Sequence, residues 1–301
     1  MAHIPVLLKE TINYLNVQPK RNFIDATAGE GGHSFAILRR NGLEGKVLSL
    51  EIDKEIYSKL KDEASELFEK DFLLSQRLIL VNDSYANLKK VIEANKFKPV
   101  AGILFDLGIC SWQIDDSQRG FSYLKDEPLD MRFNKNQELT AAEIINFWEV
   151  GELEEIFREY GEEKYSKRLA LAIKEARRKE RIVTTGRLLE ILKKNLPKNY
   201  DKGRKHFAAR TFQALRIAVN NELENLKSGL KQSWEILEPE GRIVIISFHS
   251  LEDRIVKIFF KEKAKEKKLK ILTKKPIVPQ EEEIKANPRA HSAKLRAAEK
   301  S

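Results

Sequence analysis

Phe23-Ile-Asp25-Ala-Thr-Ala-Gly29-Glu-Gly31-Gly32-His33 is the stretch on which the fold turns. A short apolar strand, Phe23–Asp25, runs into a glycine-rich turn, and a helical pattern follows over His33–Arg40. Glycines let the backbone turn sharply and come close to a ligand, with a helix N-terminus behind them. A dinucleotide fingerprint would continue Gly29-x-Gly31-x-x-Gly, but the last position is Ser34. A glycine-rich strand–helix turn also occurs for packing alone, so the loop needs its surroundings.

Working outward, Lys46–Glu51, Leu78–Asp83 and Val100–Leu107 read as strands, with helices over Lys54–Lys70 and Tyr85–Asn95. Their apolar runs are continuous rather than alternating, which indicates strands buried on both faces. Strand, helix, strand repetition builds a parallel sheet with right-handed crossovers. The next strand of that quality is Arg242–Phe248, more than 130 residues after Gly108. No ordinary crossover is that long. Within the gap Thr140-Ala-Ala-Glu143 is a capping box, and Gly151–Tyr160, Glu162–Lys179 and Thr184–Leu196 carry helical apolar spacing. Pro197–Gly203 breaks the pattern, and Arg204–Leu237 reads as one long helix. The expected architecture is therefore α/β and Rossmann-like, with a largely parallel sheet and an inserted α-helical domain. Residues 1–110 and 213–301 are expected to form one discontinuous domain around the sheet, and 111–212 an inserted helical domain. Ile271–Val278 is a candidate closing strand, and Glu281–Ser301 reads as a partly ordered tail.

The acids fall where such a sheet binds ligands. Glu51 ends the second strand, 26 residues after Asp25, where a carboxylate can accept hydrogen bonds from both hydroxyls of a ribose. Asp83 and Asp106 lie at the ends of the third and fourth strands, on the same carboxyl edge. The plainer alternative is that these acids cap the helices that follow. Together with the loop they point to a class I S-adenosylmethionine site. The discontinuous domain around the sheet is then expected to be the methyltransferase domain, and the inserted helical domain the one that recognises the substrate. That cofactor is a nucleoside without phosphates, so a Walker lysine is not expected, and a sulfonium donor needs no metal.

Composition narrows the classes further. Of 301 residues 42% are hydrophobic and 34% charged, enough for a core under a charge-dense surface. No run approaches ~18 apolar residues, and Met1–Leu15 lacks the apolar block of a signal peptide, so a cytoplasmic protein without a membrane anchor is expected. The single cysteine, Cys110, excludes an internal disulfide and a Cys-based zinc site. Lys and Arg number 55 against 46 Asp and Glu, a net charge of +9 with a pI near 9.3. The excess is concentrated: Lys164–Arg216 holds 17 basic and 4 acidic residues, and Arg254–Ser301 holds 15 and 6. Two basic segments suit a nucleic-acid partner, although a basic helix can also be a solvated face.

Seven blocks in order make the reading specific: Gly29-Glu-Gly31-Gly32-His33, Asp106-Leu-Gly108, Gln113-x-Asp115-Asp116, Arg119-Gly-Phe-Ser122, Pro128-Leu-Asp-Met-Arg132, Ile246-Ser-Phe-His-Ser-Leu-Glu-Asp-Arg254 and Asn287-Pro-Arg-Ala-x-Ser-Ala-Lys-Leu-Arg296. From Pro5 to Arg296 the chain resembles the bacterial ribosomal RNA small subunit methyltransferase H family. The resemblance implies S-adenosylmethionine-dependent N4-methylation of a cytidine in the decoding region of small-subunit (16S) ribosomal RNA, on an assembled or nearly assembled subunit. It implies cofactor contacts at Gly31, Gly32, His33, Glu51, Tyr85, Asp106 and Gln113, and no metal. Three positions depart from the family's habit: Cys110-Ser111-Trp112 where two serines and a proline are common, Glu51 where Asp is common, and His291 where Arg is usual.

The cytosine N4 lone pair is delocalised into the ring, so a site must hold the amine in line and accept its proton or hydrogen bond. Asp106 is the candidate catalytic acceptor; Asp106-Leu-Gly-Ile lacks the prolines of the loop many amino-methyltransferases use. His249 is a second candidate base or phosphate contact, and equally a structural hydrogen-bonder. Cys110 opens a C5-cytosine chemistry through a thiolate adduct, or is a small thiol standing in for serine. Asp115-Asp116 reads as a turn and helix cap rather than a metal pair. Trp112, Phe121, Tyr123 and Phe133, interleaved with Arg119, Lys125 and Arg132, suit either base stacking or a seam between domains. A small-molecule or protein methyltransferase, and an RNA-binding protein that kept an old fold, complete the alternatives; the basic segments speak against the former and the intact loop and Glu51 against the latter.

Overall fold

The structure, a computed structural model, describes residues 5–70, 74, 76–197, 200 and 206–301. The chain opens with α1 (Leu8–Leu15), β1 (Phe23–Asp25), α2 (Gly32–Arg40), β2 (Val47–Leu50), α3 (Lys54–Lys70) and β3 (Leu78–Val81). A 3₁₀ turn at Tyr85–Asn87 leads into α4 (Leu88–Ala94), and β4 (Gly102–Asp106) follows. Then come α5 (Ser111–Asp115), α6 (Ala141–Phe147), α7 (Val150–Glu159), α8 (Ser166–Arg177), α9 (Thr185–Asn195) and α10 (Ala209–Asn220). The chain returns through α11 (Glu222–Ile236), β5 (Arg242–Ser247), α12 (Ser250–Lys265), β6 (Leu269–Ile271), α13 (Glu281–Ala286) and β7 (Lys294–Lys300).

The chain divides into two compact units, 1–108 with 223–301, and 109–222. The second boundary lies ten residues beyond the 212/213 division expected from sequence. Phe212, Leu215 and Val219 of α10 are buried in the helical unit's own core and carry the chain that much further before it returns.

In the first unit seven strands form one sheet in the order β3-β2-β1-β4-β5-β7-β6. β1 to β5 pair in parallel, while β7 runs antiparallel between β5 and β6. The alternation of side chains along a strand explains why the apolar runs are continuous. In β4, Leu104 packs on one face with Leu15, Phe35 and Leu60, and Ile103 and Phe105 pack on the other with Val91, Leu226 and Phe260. β5 does the same, with Val244 and Ile246 on the first face and Ile243 and Ile245 on the second. Strand order reverses between β1 and β4, which places a topological switch point at Asp25 and Asp106, the carboxyl ends of those strands. This is the class I S-adenosylmethionine-dependent methyltransferase fold.

Three sequence expectations need correction. Residues 281–301 are not a tail: they contain α13, a 3₁₀ turn and β7, a central strand. Leu295 and Ala297 face one core and Ala298 the other, and Arg296 makes a two-pronged ion pair with Asp253 at 2.6 and 3.1 Å. Arg242 and Glu299 face each other across β5 and β7 and pair at 2.9 Å. The closing strand also lies earlier than 271–278: β6 is Leu269–Ile271 and shares only Ile271 with that expectation, while Ile277 contributes an isolated bridge to Leu295. The long helix expected over 204–237 is two helices, broken where Asn221 takes left-handed angles (φ 50, ψ 39). Asn tolerates that conformation, and the preceding Asn220 is drawn off by Met131 and Phe133, donating to the carbonyl of the first and accepting from the N–H of the second. Residues 204–205, at the start of that expectation, and 198–199 and 201–203 of the expected break before it lie outside the described residues.

The helical unit surrounds its own core, with Leu153, Phe157, Leu169, Ile173, Leu188 and Leu215 fully buried. Thr140 caps α6 as its sequence predicts, accepting from Glu143 N–H. The irregular run 116–140 is tied by side chains rather than by regular elements. Arg132 grips Asp130 through two nitrogens at 2.8 Å, Arg119 donates to the carbonyls of Arg132 and Phe133, and Glu127 accepts from Gly120 N–H.

Candidate active site

The switch point gathers four titratable side chains of the first unit. Asp25, at the end of β1, is fully buried; its Oδ2 accepts from Ser34 Oγ at 2.7 Å and its Oδ1 from Thr27 N–H at 3.2 Å. Ser34 Oγ also meets Ser49 Oγ at 2.8 Å. Burial pushes the Asp25 carboxyl above its ordinary range, against the pull of His33 and Ser34. The residue that breaks the dinucleotide fingerprint therefore serves the buried acid, and a glycine at 34 would leave the Asp25 carboxylate short of a donor.

The loop itself is closed by backbone and carboxylate. Gly31 N–H bonds Ala28 C=O at 2.8 Å, and Gly29 N–H bonds Glu51 Oε2 at 2.9 Å. Gly31 stands at φ +83, and a Cβ there would come within 2.4 Å of Leu60 Cδ1 and 2.7 Å of Phe35. At Gly32 a Cβ would meet Pro5 Cγ at 2.3 Å. Both glycines are thus demanded by close packing around the turn. Beyond them, the first N–H groups of α2 have no carbonyl a turn earlier to bond, and no side chain caps them.

Glu51 is buried at the end of β2. Its Oε1 takes Asp53 N–H at 2.8 Å and its Oε2 takes Gly29 N–H. A carboxylate offers about four acceptor positions, so two remain for a ligand's hydroxyls. Burial raises this carboxyl from 4.5 to about 7, opposed by those two backbone bonds.

At the end of β4, Asp106 N–H is held by Thr27 Oγ1 at 2.6 Å, which ties the first loop to the fourth strand. Asp106 Oδ2 stands 3.5 Å from His33 Nε2, and the buried Oδ1 has no hydrogen-bond partner among the described residues. Burial by itself would lower the pKa of His33, but Asp106 beside it and Asp25 nearby outweigh that and hold the imidazole above its ordinary value. Thr27, Ser34 and Ser49 carry no signal of this role in the sequence; the one hint is the serine at the fingerprint's last glycine.

Tyr85 packs edge-on against Phe105, ring centroids 5.4 Å apart, with Gly229 beneath it. Asp83 has the plainer role: its Oδ1 accepts from Ser84 N–H and Asn87 Nδ2, shaping the turn into α4.

A buried carboxylate with acceptor positions to spare, a glycine turn and, two strands away at the end of β4, an acid with one unpartnered oxygen share the carboxyl edge of the sheet. Known proteins share this chain from end to end. The model of the MraW methylase family matches residues 1–301. Ribosomal RNA small subunit methyltransferase H of Halothermothrix orenii is 44% identical, across 100% of this chain and 99% of that protein. Its counterparts in Persephonella marina and Caldicellulosiruptor saccharolyticus are 43% and 44% identical, again over at least 99% of each chain. The chain belongs to the MraW methylase family.

The remaining residues singled out from sequence can be placed within this MraW-family chain. Gln113 belongs to the helical unit, whereas the six other cofactor candidates belong to the sheet unit. It is buried in α5, and its Oε1 accepts from Cys110 N–H at 3.1 Å. Cys110 is half-buried at the N-cap of α5, the position serine favours. Asp115 and Asp116 end that helix, as a turn and cap. His249 is the N-cap of α12: its Nδ1 faces Glu252 N–H at 3.4 Å, and Glu252 Oε2 accepts from Phe248 N–H at 2.8 Å. That arrangement assigns His249 a structural bond. The aromatics after β4 pack within the helical unit: Phe121 is buried and stacked on Phe133, and the Arg119 guanidinium lies 5.3 Å from the Trp112 ring. No described helix is long and apolar enough to cross a membrane.

Proposed function

We propose that this chain transfers a methyl group from S-adenosylmethionine to ribosomal RNA of the small subunit, and that the acceptor is the exocyclic N4 of a cytidine in the decoding region, presented on an assembled or nearly assembled subunit. The observation that carries the reading is the pairing of Glu51, with two acceptor positions to spare, and Asp106, with a partnerless buried Oδ1, on one edge of this sheet. The full-length match to proteins named for small-subunit ribosomal RNA supports the substrate.

The residues present suit the cofactor. Glu51 would accept the ribose hydroxyls, the Gly29–His33 turn would line its approach, and Tyr85 would bound the site with its ring. When bound, S-adenosylmethionine supplies an electrophilic methyl on a sulfonium. The protein's part falls to the groups at the switch point. Thr27 fixes the backbone of Asp106, and His33 stands against Oδ2. Oδ1 is left to accept a hydrogen bond from the attacking amine and to hold its proton as charge develops. General bases so placed contribute roughly 100- to 10,000-fold. Burial removes competing water from that oxygen.

Mass mapping of small-subunit ribosomal RNA nucleosides, with and without this protein, tests the reading. N4-methylcytidine should appear at one position only when the protein is present. A 5-methylcytidine product, or an unchanged nucleoside profile, overturns it.

A further inference from the structure

The helical unit carries a cleft that none of the chemistry above uses. It lies along α8 and α9, holds about 1000 Å³, and is walled by six cations against two acids. The cations fall on single faces. Lys164, Lys167, Arg168 and Lys179 recur at helical spacing along α8 and its flanks, and Arg187 and Lys194 do so on α9. Over 15 residues the first row extends about 22 Å.

Their partners, and the lack of them, decide what the cleft can do. Both acids of the lining are spoken for: Glu175 pairs with Arg178 and Glu190 with Arg187, each at 2.9 Å. Lys164, Lys167, Arg168, Lys179 and Lys194 are exposed, and none has an ion pair among the described residues. Five like charges around one cleft repel each other unless an anion lies among them. The C-terminal basic segment differs, since Glu266 pairs with both Lys263 and Lys268. The floor is not wholly polar: Leu171, 45% exposed, with Ala172 and Ala176, gives an apolar strip between the charged rows. Charged rows flanking an apolar strip match a polynucleotide strand, whose phosphates are regularly spaced and whose sugars and base faces are less polar.

We propose that this cleft grips the phosphodiester backbone of an RNA strand, as a contact surface separate from the methyl-transfer chemistry. The inference rests on the RNA reading above and adds the place where the helical unit holds that RNA. Contacts of this kind read shape and charge rather than base identity.

The test uses the full-length protein and a fluorescein-labelled 20-nucleotide single-stranded RNA, with binding followed by anisotropy over a salt series. The variant K167Q/R168Q/K194Q is compared with K61Q/K90Q/K231Q, which removes three exposed lysines from the other unit. Each phosphate contact contributes about 0.7 to the slope of log K against log salt for a single strand. The cleft variant should therefore lose about two from its slope, and the control should keep the wild-type slope. Both variants should keep the wild-type thermal shift with S-adenosylhomocysteine, which shows that they are folded. A cleft variant with the wild-type slope, in a protein that binds RNA, overturns the cleft and leaves the RNA reading standing. A wild-type protein that does not bind the RNA at low salt overturns the cleft as a strand-gripping surface, while the methyl-transfer reading stands or falls on the nucleoside mapping. Loss of polyglutamate binding in the cleft variant, with the RNA slope unchanged, reassigns the surface to an acidic protein segment and overturns the RNA assignment.

Discussion

At the carboxyl edge of the sheet, Asp25 and Glu51 are withdrawn from water and each carboxylate accepts two hydrogen bonds from protein donors. Along α8 and α9, Lys167, Arg168 and Lys194 stand in water with no ion pair among the described residues. Both regions are dense in charge, and they hold it in opposite ways. Buried charge is costly unless its partners are placed in advance, so such a site is rigid and shifts its own pKa values. Exposed unpaired charge costs little to maintain and binds by releasing counterions, so such a surface is tunable and blind to sequence. A protein that does chemistry on one atom of a large polyanion has use for both.

The largest effect expected from breaking this contrast is at Asp106. Asp106→Asn keeps the shape and removes the proton acceptor, so methyl transfer to small-subunit RNA should fall roughly 100- to 10,000-fold, with a thermal unfolding midpoint close to wild type. Initial rates and a melting curve measure both. A variant within a few-fold of wild type would remove Asp106 from the chemistry.

Salt should separate the two regions next. Five unpaired cations engaging a single strand give a slope near 3.5, so RNA affinity should drop about a hundredfold between 50 and 200 mM salt. S-adenosylhomocysteine affinity should change less than about threefold over the same range, because buried contacts are weakly screened. Calorimetry for the cofactor and anisotropy for RNA give the two numbers. Parallel losses would mean that the sheet edge is as exposed as the cleft.

Glu51 sharpens the comparison through pH. Its folded-state carboxyl sits at about 7, above the ordinary 4.5. Below 4.5 it is neutral in the folded and unfolded chains alike. As pH rises from 4.5 to 7 the unfolded chain ionises first, so the stability this group contributes is lost, by up to about 1.4 kcal/mol per pH unit. Cofactor binding runs the other way, since the ionised form is the better acceptor for two hydroxyls. Affinity for S-adenosylhomocysteine should therefore rise up to about tenfold per pH unit toward pH 7 and level off above it. Glu51→Gln should flatten both trends and weaken binding roughly ten- to a hundredfold at pH 8, the value of charge-assisted hydrogen bonds. An unchanged pH profile in the variant would place the titration elsewhere.

The smallest effect is expected at Cys110. As the N-cap of α5 its sulfur does what a serine does better, so Cys110→Ser should keep activity within roughly a factor of ten, about 1.4 kcal/mol of barrier. The melting temperature should hold or rise slightly. A folded, cofactor-binding but inactive Cys110→Ser protein would revive the thiolate route to C5.

The legible parts share one property: each rests on residues close in sequence. Val47–Leu50 and Gly102–Asp106 read as buried strands because their apolar runs are uninterrupted. The turn at Gly29–His33 and the acids at 51 and 106 could be placed because strand ends carry ligand sites in such sheets. Lys294–Lys300 could not be read as a central strand. Three of its seven residues are basic and one is acidic, and partners far along the chain, among them Asp253, Arg242 and the carbonyls of Trp234 and Leu237, make that composition burial-compatible. The break at Asn221 was equally hidden, because Asn220 answers to Met131 and Phe133 some 90 residues earlier.

Sequence alone determined the α/β class, the presence of an inserted helical unit, the glycine turn with its acids, and the family that the chain resembles, since periodicity, spacing and ordered motifs are properties of the chain itself. Only the tertiary structure decided which of those acids keeps an oxygen unpartnered and which lysines and arginines go unpaired. Arg178 and Arg187 are held by Glu175 and Glu190, while Lys167, Arg168 and Lys194, of the same chemistry and in the same basic stretch, are left to water. Pairing is a matter of a few ångströms between side chains, and those distances exist only once the helices have packed.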